Sequence, residues 1–112
     1  ASVRSTRWLT AMTIDSDRFG SDLEGLISHL AEGRIEARRV WKPMHRQPLF
    51  KSSAYWPHHA TRSISDRLFE TGVCLPSGSN LDSEQQDRVI QRIRQRACSP
   101  DRSWASSTLS LG

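Results

Sequence analysis

A segment interrupted by two prolines, residues 35–50 with the sequence IEARRVWKPMHRQPLF, limits the possible folds of this chain more than any other part. Each proline ring fixes its own φ angle and favours extended geometry in the residue before it. His45 lies between Pro43 and Pro48, so its backbone has few conformations available. The segment therefore either presents this histidine in a defined position or is a stiff surface connection in which the histidine is incidental.

Three stretches have the composition of strands. Residues 8–14 are apolar or β-branched and contain no glycine or proline, which predicts a strand covered on both faces. Residues 35–41 alternate between apolar and charged side chains, and Trp41 continues the apolar face, so we expect it in the core. Residues 73–75 form a short third strand, which Pro76 ends.

The first predicted helix lies between the first two strands. Ser21 and Glu24 have the spacing of a capping box, in which each side chain satisfies a backbone N–H of the first turn. Gly33 is predicted to end the helix as a left-handed cap. The apolar face of this helix consists of Leu23, Leu26, Ile27 and Leu30.

The rest of the chain predicts two more helices and two loops. A second helix is expected over residues 60–71, and a third begins at Asp82, with Gln85 as its capping partner. Residues 15–20 are predicted to be a loop, and residues 43–59 an ordered but irregular excursion. The resulting order, β-α-β-loop-α-β-α, is that of a small α/β sandwich with helices on one face of a short sheet.

Length and charge exclude some classes of protein without selecting one. A chain of 112 residues forms one domain, and it contains neither a run long enough to cross a membrane nor a secretory signal. A net charge of +4 is compatible with binding to nucleic acid, binding to an anionic cosubstrate, or neither.

Cys74 and Cys98 are expected to be free thiols in a reducing cytoplasm. Because the chain opens at Ala1, we expect it to be part of a longer protein.

Three strings in this order carry a resemblance to a known family. They are RWLTAMTID at 7–15, WKPMHRQPLF at 41–50 and RLFETGVCLPSGSNLDSEQQDRVIQRI at 67–93. Together they resemble the C-terminal small domain of the DegT/DnrJ/StrS family of sugar aminotransferases. The resemblance implies that residues 1–98 are this small domain, with a short, mostly antiparallel sheet. Residues 99–112 are rich in serine and show no periodicity, which predicts a flexible tail.

The resemblance also implies an activity for the full-length protein. Family members are pyridoxal 5'-phosphate enzymes of aminotransferase fold type I that transfer an amino group, usually from glutamate, to a nucleotide-linked keto sugar. They work as homodimers, in cytoplasmic pathways that lead to exopolysaccharides or glycans. The lysine that binds the cofactor belongs to the large domain, and neither Lys42 nor Lys51 stands in its sequence context. This chain alone is therefore expected neither to bind the cofactor nor to catalyse transfer.

Three residues are candidates for binding substrate. His45 matches the histidine of the family's W-K-P-x-H motif, which implies a role on the substrate side, and the alternative is a histidine that caps a turn. Lys42 matches the same motif. Arg38 could bind a carboxylate or phosphate with its planar guanidinium group, although a solvated strand arginine is the simpler interpretation. Arg39 stands where the family usually has proline, which predicts a less rigid end of the strand.

A second function class is a free-standing basic α/β module that binds RNA or another anionic partner. It requires arginines and exposed aromatic residues on one face. The arginines are instead scattered along the sequence, and Trp8 and Trp41 are expected in the core, so neither nucleic acid nor membrane is a predicted partner.

No metal site is predicted, because the adjacent His58 and His59 would point apart on an extended chain. A small domain separated from its large domain should also expose apolar surface and be marginally stable or self-associate.

Overall fold

The structure, a computed structural model, describes residues 3, 4, 6 and 8–97 of the chain. Its elements follow the predicted order, with one additional short helix. They are β1 (Thr10–Thr13), α1 (Ser16–Phe19), α2 (Leu23–Glu32), β2 (Arg38–Arg39), α3 (Ile64–Thr71), β3 (Gly72–Leu75) and α4 (Ser83–Arg96). The three strands form one antiparallel sheet in the order β1-β3-β2. The predicted small α/β fold with a short antiparallel sheet is confirmed.

The core lies between the sheet and the pair of helices α2 and α4. Seven residues are buried in it: Ile14, Leu23, Leu26, Leu30, Ile35, Val73 and Val89. Three of them belong to the predicted apolar face of α2, whose fourth residue, Ile27, is partly buried, and Val73 lies in the middle strand. Because strand residues alternate between faces, Met12 and Leu75 pack on the same side as Val73. The helices α2 and α4 therefore cover one face of the sheet.

Both predicted caps of α2 are wrong by one residue. Asp22, rather than Ser21, is the N-cap, and its carboxylate accepts a hydrogen bond of 2.8 Å from the N–H of Gly25. At the other end Gly33 has a φ of −81°, and the left-handed residue is Arg34, with a φ of 54°. The N–H groups of Arg34 and Ile35 donate to the carbonyls of Ala31 and Leu30, which is the Schellman arrangement.

Several predicted boundaries also differ from the structure. Residues 15–20 contain the single turn of α1, capped by Asp15, rather than a loop without helix. The second strand is reduced to Arg38–Arg39. The helix expected over 60–71 begins only at Ile64, because Ser63 caps it and accepts a hydrogen bond from the N–H of Asp66. The capping box of Asp82 and Gln85 at the start of α4 is confirmed.

Two predicted core tryptophans lie on the surface. Trp8 is 71% exposed and Trp41 is 64% exposed, and their ring centroids are 5.7 Å apart. The prediction of a core position for Trp41 fails because β2 pairs for only two residues, so the strand alternation does not extend to position 41. The prediction that β1 is covered on both faces is also wrong, because three of its four residues are exposed.

The described residues expose considerable apolar surface, as expected for a domain that packs against another. Besides the two tryptophans, large exposed apolar side chains include Met44, Leu49, Trp56 and Leu68. Cys74 is a half-buried free thiol on β3. Cys98 and the tail expected at 99–112 lie outside the described residues. Among the helices described, none has the length and apolar character to cross a membrane.

Helix α3 continues into β3 without a connecting residue, since Thr71 ends the helix and Gly72 begins the strand. A Cβ atom at position 72 would collide with the carbonyl oxygen of Leu68 and lie 2.8 Å from the methyl groups of Val40. No side chain fits at such distances, so this junction requires glycine. The close contact fixes the direction of α3 relative to the middle strand.

Candidate functional site

An open groove of about 930 Å³ lies between β1, the chain after β2, and α3. Ala11 and Thr13 of β1 line it from the side of the sheet opposite the core, and Met12, which packs against the core, also borders it. The chain between β2 and the first proline turn supplies Val40, Trp41, Lys42 and Pro43. Most lining side chains are apolar, and none of the described residues that line the groove is acidic.

The segment with the two prolines is ordered by the constraints expected from its sequence. It forms two 3₁₀ turns, Met44–Arg46 and Pro48–Phe50. Gln47, which precedes Pro48, is extended, with a φ of −82° and a ψ of 140°. The side-chain amide of Gln47 donates a hydrogen bond of 3.0 Å to the carbonyl oxygen of Lys42, which closes the first turn. The expected ordered but irregular excursion is confirmed for this part of it.

His45 is held against the start of α3. Its Nε2 atom lies 3.0 Å and 2.9 Å from the two carboxylate oxygens of Asp66. The imidazole stacks on the ring of Tyr55, with centroids 3.7 Å apart and an interplanar angle of 15°. The Tyr55 hydroxyl is in turn 2.9 Å from the hydroxyl of Ser63, the N-cap of α3. A histidine that caps a turn would contact the backbone of that turn. Among the described residues, Nε2 of His45 instead contacts the side chain of Asp66.

Asp66 is the electrostatic centre of this cluster. The hydrogen bond with Ser63 is the largest cause that lowers the pKa of the Asp66 carboxyl below its ordinary 3.8, and burial acts in the opposite direction. His45 and Arg46 lower the pKa of Asp66 further. Arg46 lies 3.5 Å from Asp66 and 3.4 Å from Glu70, so the guanidinium group bridges two carboxylates of α3.

Sequence reasoning did not find Asp66 or Tyr55. The available signal for Asp66 was the S-x-x-D spacing from Ser63, which marks a helix start and places an acid in its first turn. No local pattern indicates Tyr55, because it contacts His45 only through the path of the loop between β2 and α3.

The three candidate residues from the sequence do not converge on one point. Lys42 is exposed and lines the groove. His45 does not line it, although its neighbour Met44 does. Arg38 lies at a separate small cleft beside Leu9 and forms an ion pair with Glu36, as a solvated strand arginine would.

Arg39, at the position where the family usually has proline, is firmly held instead. Its Nε donates a hydrogen bond of 2.8 Å to Glu24 of α2, and its Nη1 donates to the carbonyl oxygen of Phe69 at 3.2 Å. The guanidinium carbon also lies 5.5 Å from the centroid of the Phe69 ring. Arg39 therefore links to α2 and α3 the strand end that the resemblance predicts to be less rigid.

The described residues do not form a pyridoxal phosphate site by themselves. Such a site requires a lysine for the Schiff base and a group that interacts with the pyridinium nitrogen. Lys42 lies in an open groove without a carboxylate, and Lys51 is exposed on the loop.

The rings of His58 and His59 contact each other edge to face, with centroids 5.0 Å apart, rather than pointing apart as expected. The chain bends here at the bridge between His59 and Arg62. No group of three metal-ligating side chains occurs among residues 8–97.

Known proteins resemble this chain in fold and in sequence. The crystal structure of a DegT DnrJ EryC1 StrS aminotransferase from Brucella abortus matches 80% of it with a TM-score of 0.64 and 23% identity. The pyridoxal phosphate-dependent aminotransferase EpsN of Bacillus subtilis (strain 168) is 46% identical over 87 residues, which is 78% of this chain. GDP-perosamine synthase of Escherichia coli O157:H7 is 31% identical over 90 residues, or 80% of the chain.

The fold and these likenesses define the class of protein as the aminotransferases. A model of the DegT/DnrJ/EryC1/StrS aminotransferase family matches residues 1–94, and the chain belongs to this family. It spans only 22% of the length of each of the two curated relatives and of the solved structure.

Proposed function

We propose that this chain is the C-terminal small domain of a longer pyridoxal 5'-phosphate-dependent sugar aminotransferase, and that the activity belongs to the whole polypeptide. The observation that carries the proposal is the family match over residues 1–94 together with the small share of each relative that the chain spans. The remainder of the polypeptide would supply the cofactor site. The proposed setting is the cytoplasm, since two cysteines do not suggest a disulfide framework.

In this proposal, the enzyme transfers an amino group from glutamate to a nucleotide-linked keto sugar. The name of GDP-perosamine synthase supports a nucleotide-linked amino sugar as the product. The name of EpsN supports pyridoxal phosphate as the cofactor. A role in exopolysaccharide or glycan synthesis is part of the same proposal.

The chain contributes a wall of the substrate site. Lys42, exposed on the groove, would bind a phosphate of the nucleotide as a mobile cation. His45 would contact the sugar. Arg38 would contact the substrate at the edge of the site, because its side chain stays exposed while it is paired with Glu36. The apolar groove beside Lys42 and the exposed Trp8 and Trp41 are proposed to be covered by the large domain or by the second subunit of a homodimer.

The alternative of an RNA-binding module has less support. Binding to a phosphate backbone requires arginines that are available to solvent on one face. Arg39, Arg88 and Arg92 are instead hydrogen-bonded to backbone carbonyls of this chain.

The test begins with the genomic sequence directly upstream. We expect an open reading frame that encodes a large domain with a cofactor-binding lysine. The complete polypeptide should then show the visible absorption band of bound pyridoxal phosphate. It should form more than one equivalent of 2-oxoglutarate per active site from glutamate only when a nucleotide-linked keto sugar is present to accept the amino group. The 112-residue chain, tested in parallel, should show no such band. An upstream sequence without this domain, or a complete polypeptide that is inactive with a panel of UDP-, GDP- and dTDP-linked keto sugars, would overturn the proposal.

A further inference from the structure

We propose that Asp66 and Tyr55 are positioning residues that fix the His45 ring with Nδ1 as its ligand-binding atom, and that Nδ1 accepts a hydrogen bond from a sugar hydroxyl. This inference rests on the proposed function for the identity of the ligand. The orientation of the ring does not depend on it, because it follows from contacts within the chain.

The first step concerns the proton on the imidazole. Both carboxylate oxygens of Asp66 lie within 3.0 Å of Nε2 of His45. An ionised carboxylate only accepts hydrogen bonds, so Nε2 must be the donor. In the neutral ring this leaves Nδ1 without a proton and able to accept. The carboxylate thus selects one of the two tautomers, as carboxylates do for other functional histidines.

The second step concerns access to Nδ1. This atom has no hydrogen-bond partner among the described residues, whereas Nε2 has two contacts. In the same part of the chain, no side-chain nitrogen or oxygen is both buried and without a partner. It follows that Nδ1 is in contact with solvent, although the His45 side chain as a whole is only 18% exposed, and in this proposal a ligand hydroxyl replaces that solvent.

The third step concerns the plane of the ring. Tyr55 stacks on the imidazole at 3.7 Å and is itself anchored by its hydroxyl group to Ser63. Ser63 also accepts the hydrogen bond from the backbone N–H of Asp66. The two residues that hold His45 are therefore fixed to the same point, the first turn of α3. A ring held at one edge and on one face has little freedom to flip.

These three steps define which part of the substrate His45 can recognise. A neutral imidazole that accepts at Nδ1 binds a hydroxyl group, which donates a hydrogen bond. A phosphate oxygen is an acceptor and would not be bound by that atom. For the neutral ring, the geometry favours the sugar rather than the diphosphate as the group that His45 contacts, and it leaves the phosphates to a cation such as Lys42.

The orientation is tested by NMR on the 112-residue chain labelled with ¹⁵N. Long-range ¹H–¹⁵N correlations of His45, at a pH where the shifts show a neutral ring, should report a protonated Nε2 and an unprotonated Nδ1. Asp66→Ala should give a mixture of tautomers. Asp87→Ala, the same change at an exposed site on α4, should leave the His45 signals unchanged. A wild-type ring protonated at Nδ1 overturns the proposal, and this result does not depend on whether Asp66→Ala folds.

The ligand is tested in the complete enzyme, with the keto sugar of the panel that gives the highest turnover. Asp66→Ala should raise KM for this sugar about tenfold, the effect of one lost hydrogen bond of ordinary strength, and leave KM for glutamate unchanged. An equal loss of kcat with no change in either KM would overturn the role in sugar binding. An inactive wild-type enzyme would instead refute the proposed function, and the NMR result on the orientation of His45 would be unaffected.

Discussion

His29 and Arg92 each hydrogen-bond the backbone carbonyl of the other. Nε2 of His29 lies 3.1 Å from the Arg92 oxygen, and Nε of Arg92 lies 3.1 Å from the His29 oxygen. Arg88 and Arg96, four residues to either side, donate to the carbonyl of Gly33 and the hydroxyl of Ser21. These three arginines, spaced four residues apart, therefore form a stripe along α4 that joins it to α2.

Removing the central arginine of this stripe should destabilise the chain. Arg92→Met keeps most of the aliphatic stem but leaves the partly buried carbonyl of His29 without its donor. We expect the free energy of unfolding to fall by about 1–2 kcal/mol, measured by urea denaturation. Arg94→Met, on the exposed side of the same helix, is the matched control and should change it by less than about 0.5 kcal/mol. Equal effects of the two substitutions would contradict the role of the stripe.

Asp66 should make stability depend on pH in the acid range. Because its pKa is lowered in the folded state, folded chains bind fewer protons than unfolded chains near the ordinary value of 3.8. The stabilisation is complete above that value and is lost as the pH falls through the lowered pKa. Urea denaturation of Asp66→Asn between about pH 2 and pH 6 should therefore show a weaker increase of stability with pH than the wild type. Asp87→Asn should follow the wild-type slope, and a wild-type slope for Asp66→Asn would refute the prediction.

The exposed tryptophan pair should promote self-association of the isolated chain. Trp41 is exposed beside Trp8 and lines the apolar groove. Trp41→Ser should weaken association by about tenfold in Kd, since large aromatic anchors dominate contacts of this kind. Sedimentation at several concentrations measures the effect. Trp56→Ser, at a more exposed position away from the groove, is the control and should change Kd little. A monomer whose melting is sharp and independent of concentration would contradict this prediction.

The left-handed residue after α2 offers a stabilising substitution. Arg34 has a φ of 54°, a conformation that costs less for glycine than for any residue with a Cβ atom. Arg34→Gly should raise the free energy of unfolding by about 0.5–1 kcal/mol in thermal or urea unfolding. Arg67→Gly, at an exposed position inside α3, should have the opposite sign and lower it by about 1 kcal/mol. Destabilisation by both would show that the arginine side chain at position 34 makes a compensating contact.

Sequence patterns were informative where the interactions are local. The apolar face of α2 and the capping box of Asp82 depend only on spacing within one helix, and both were predicted. The predicted N-cap, Ser21, is one residue from the observed N-cap, Asp22, because serine and aspartate are equally favourable at this position.

The rest depends on contacts between distant residues. The pair of His45 and Asp66 spans 21 positions, and the pair of His29 and Arg92 spans 63. No periodicity encodes such distances, since they arise only after helices and strands pack. Trp41 was misplaced for a related reason, because its strand pairs too briefly for alternation to apply.

The direct junction of α3 and β3 at Gly72 gives this small residue an influence on the surroundings of His45. Asp66, which orients His45, belongs to a helix that has no slack where it meets the middle strand. Because a Cβ atom at position 72 would collide with the carbonyl oxygen of Leu68, Gly72→Ala would require α3 to shift, and with it the Asp66 carboxylate that contacts the imidazole. If His45 contacts the sugar as proposed, a loss of selectivity among sugars would then originate at a position that carries no reactive group.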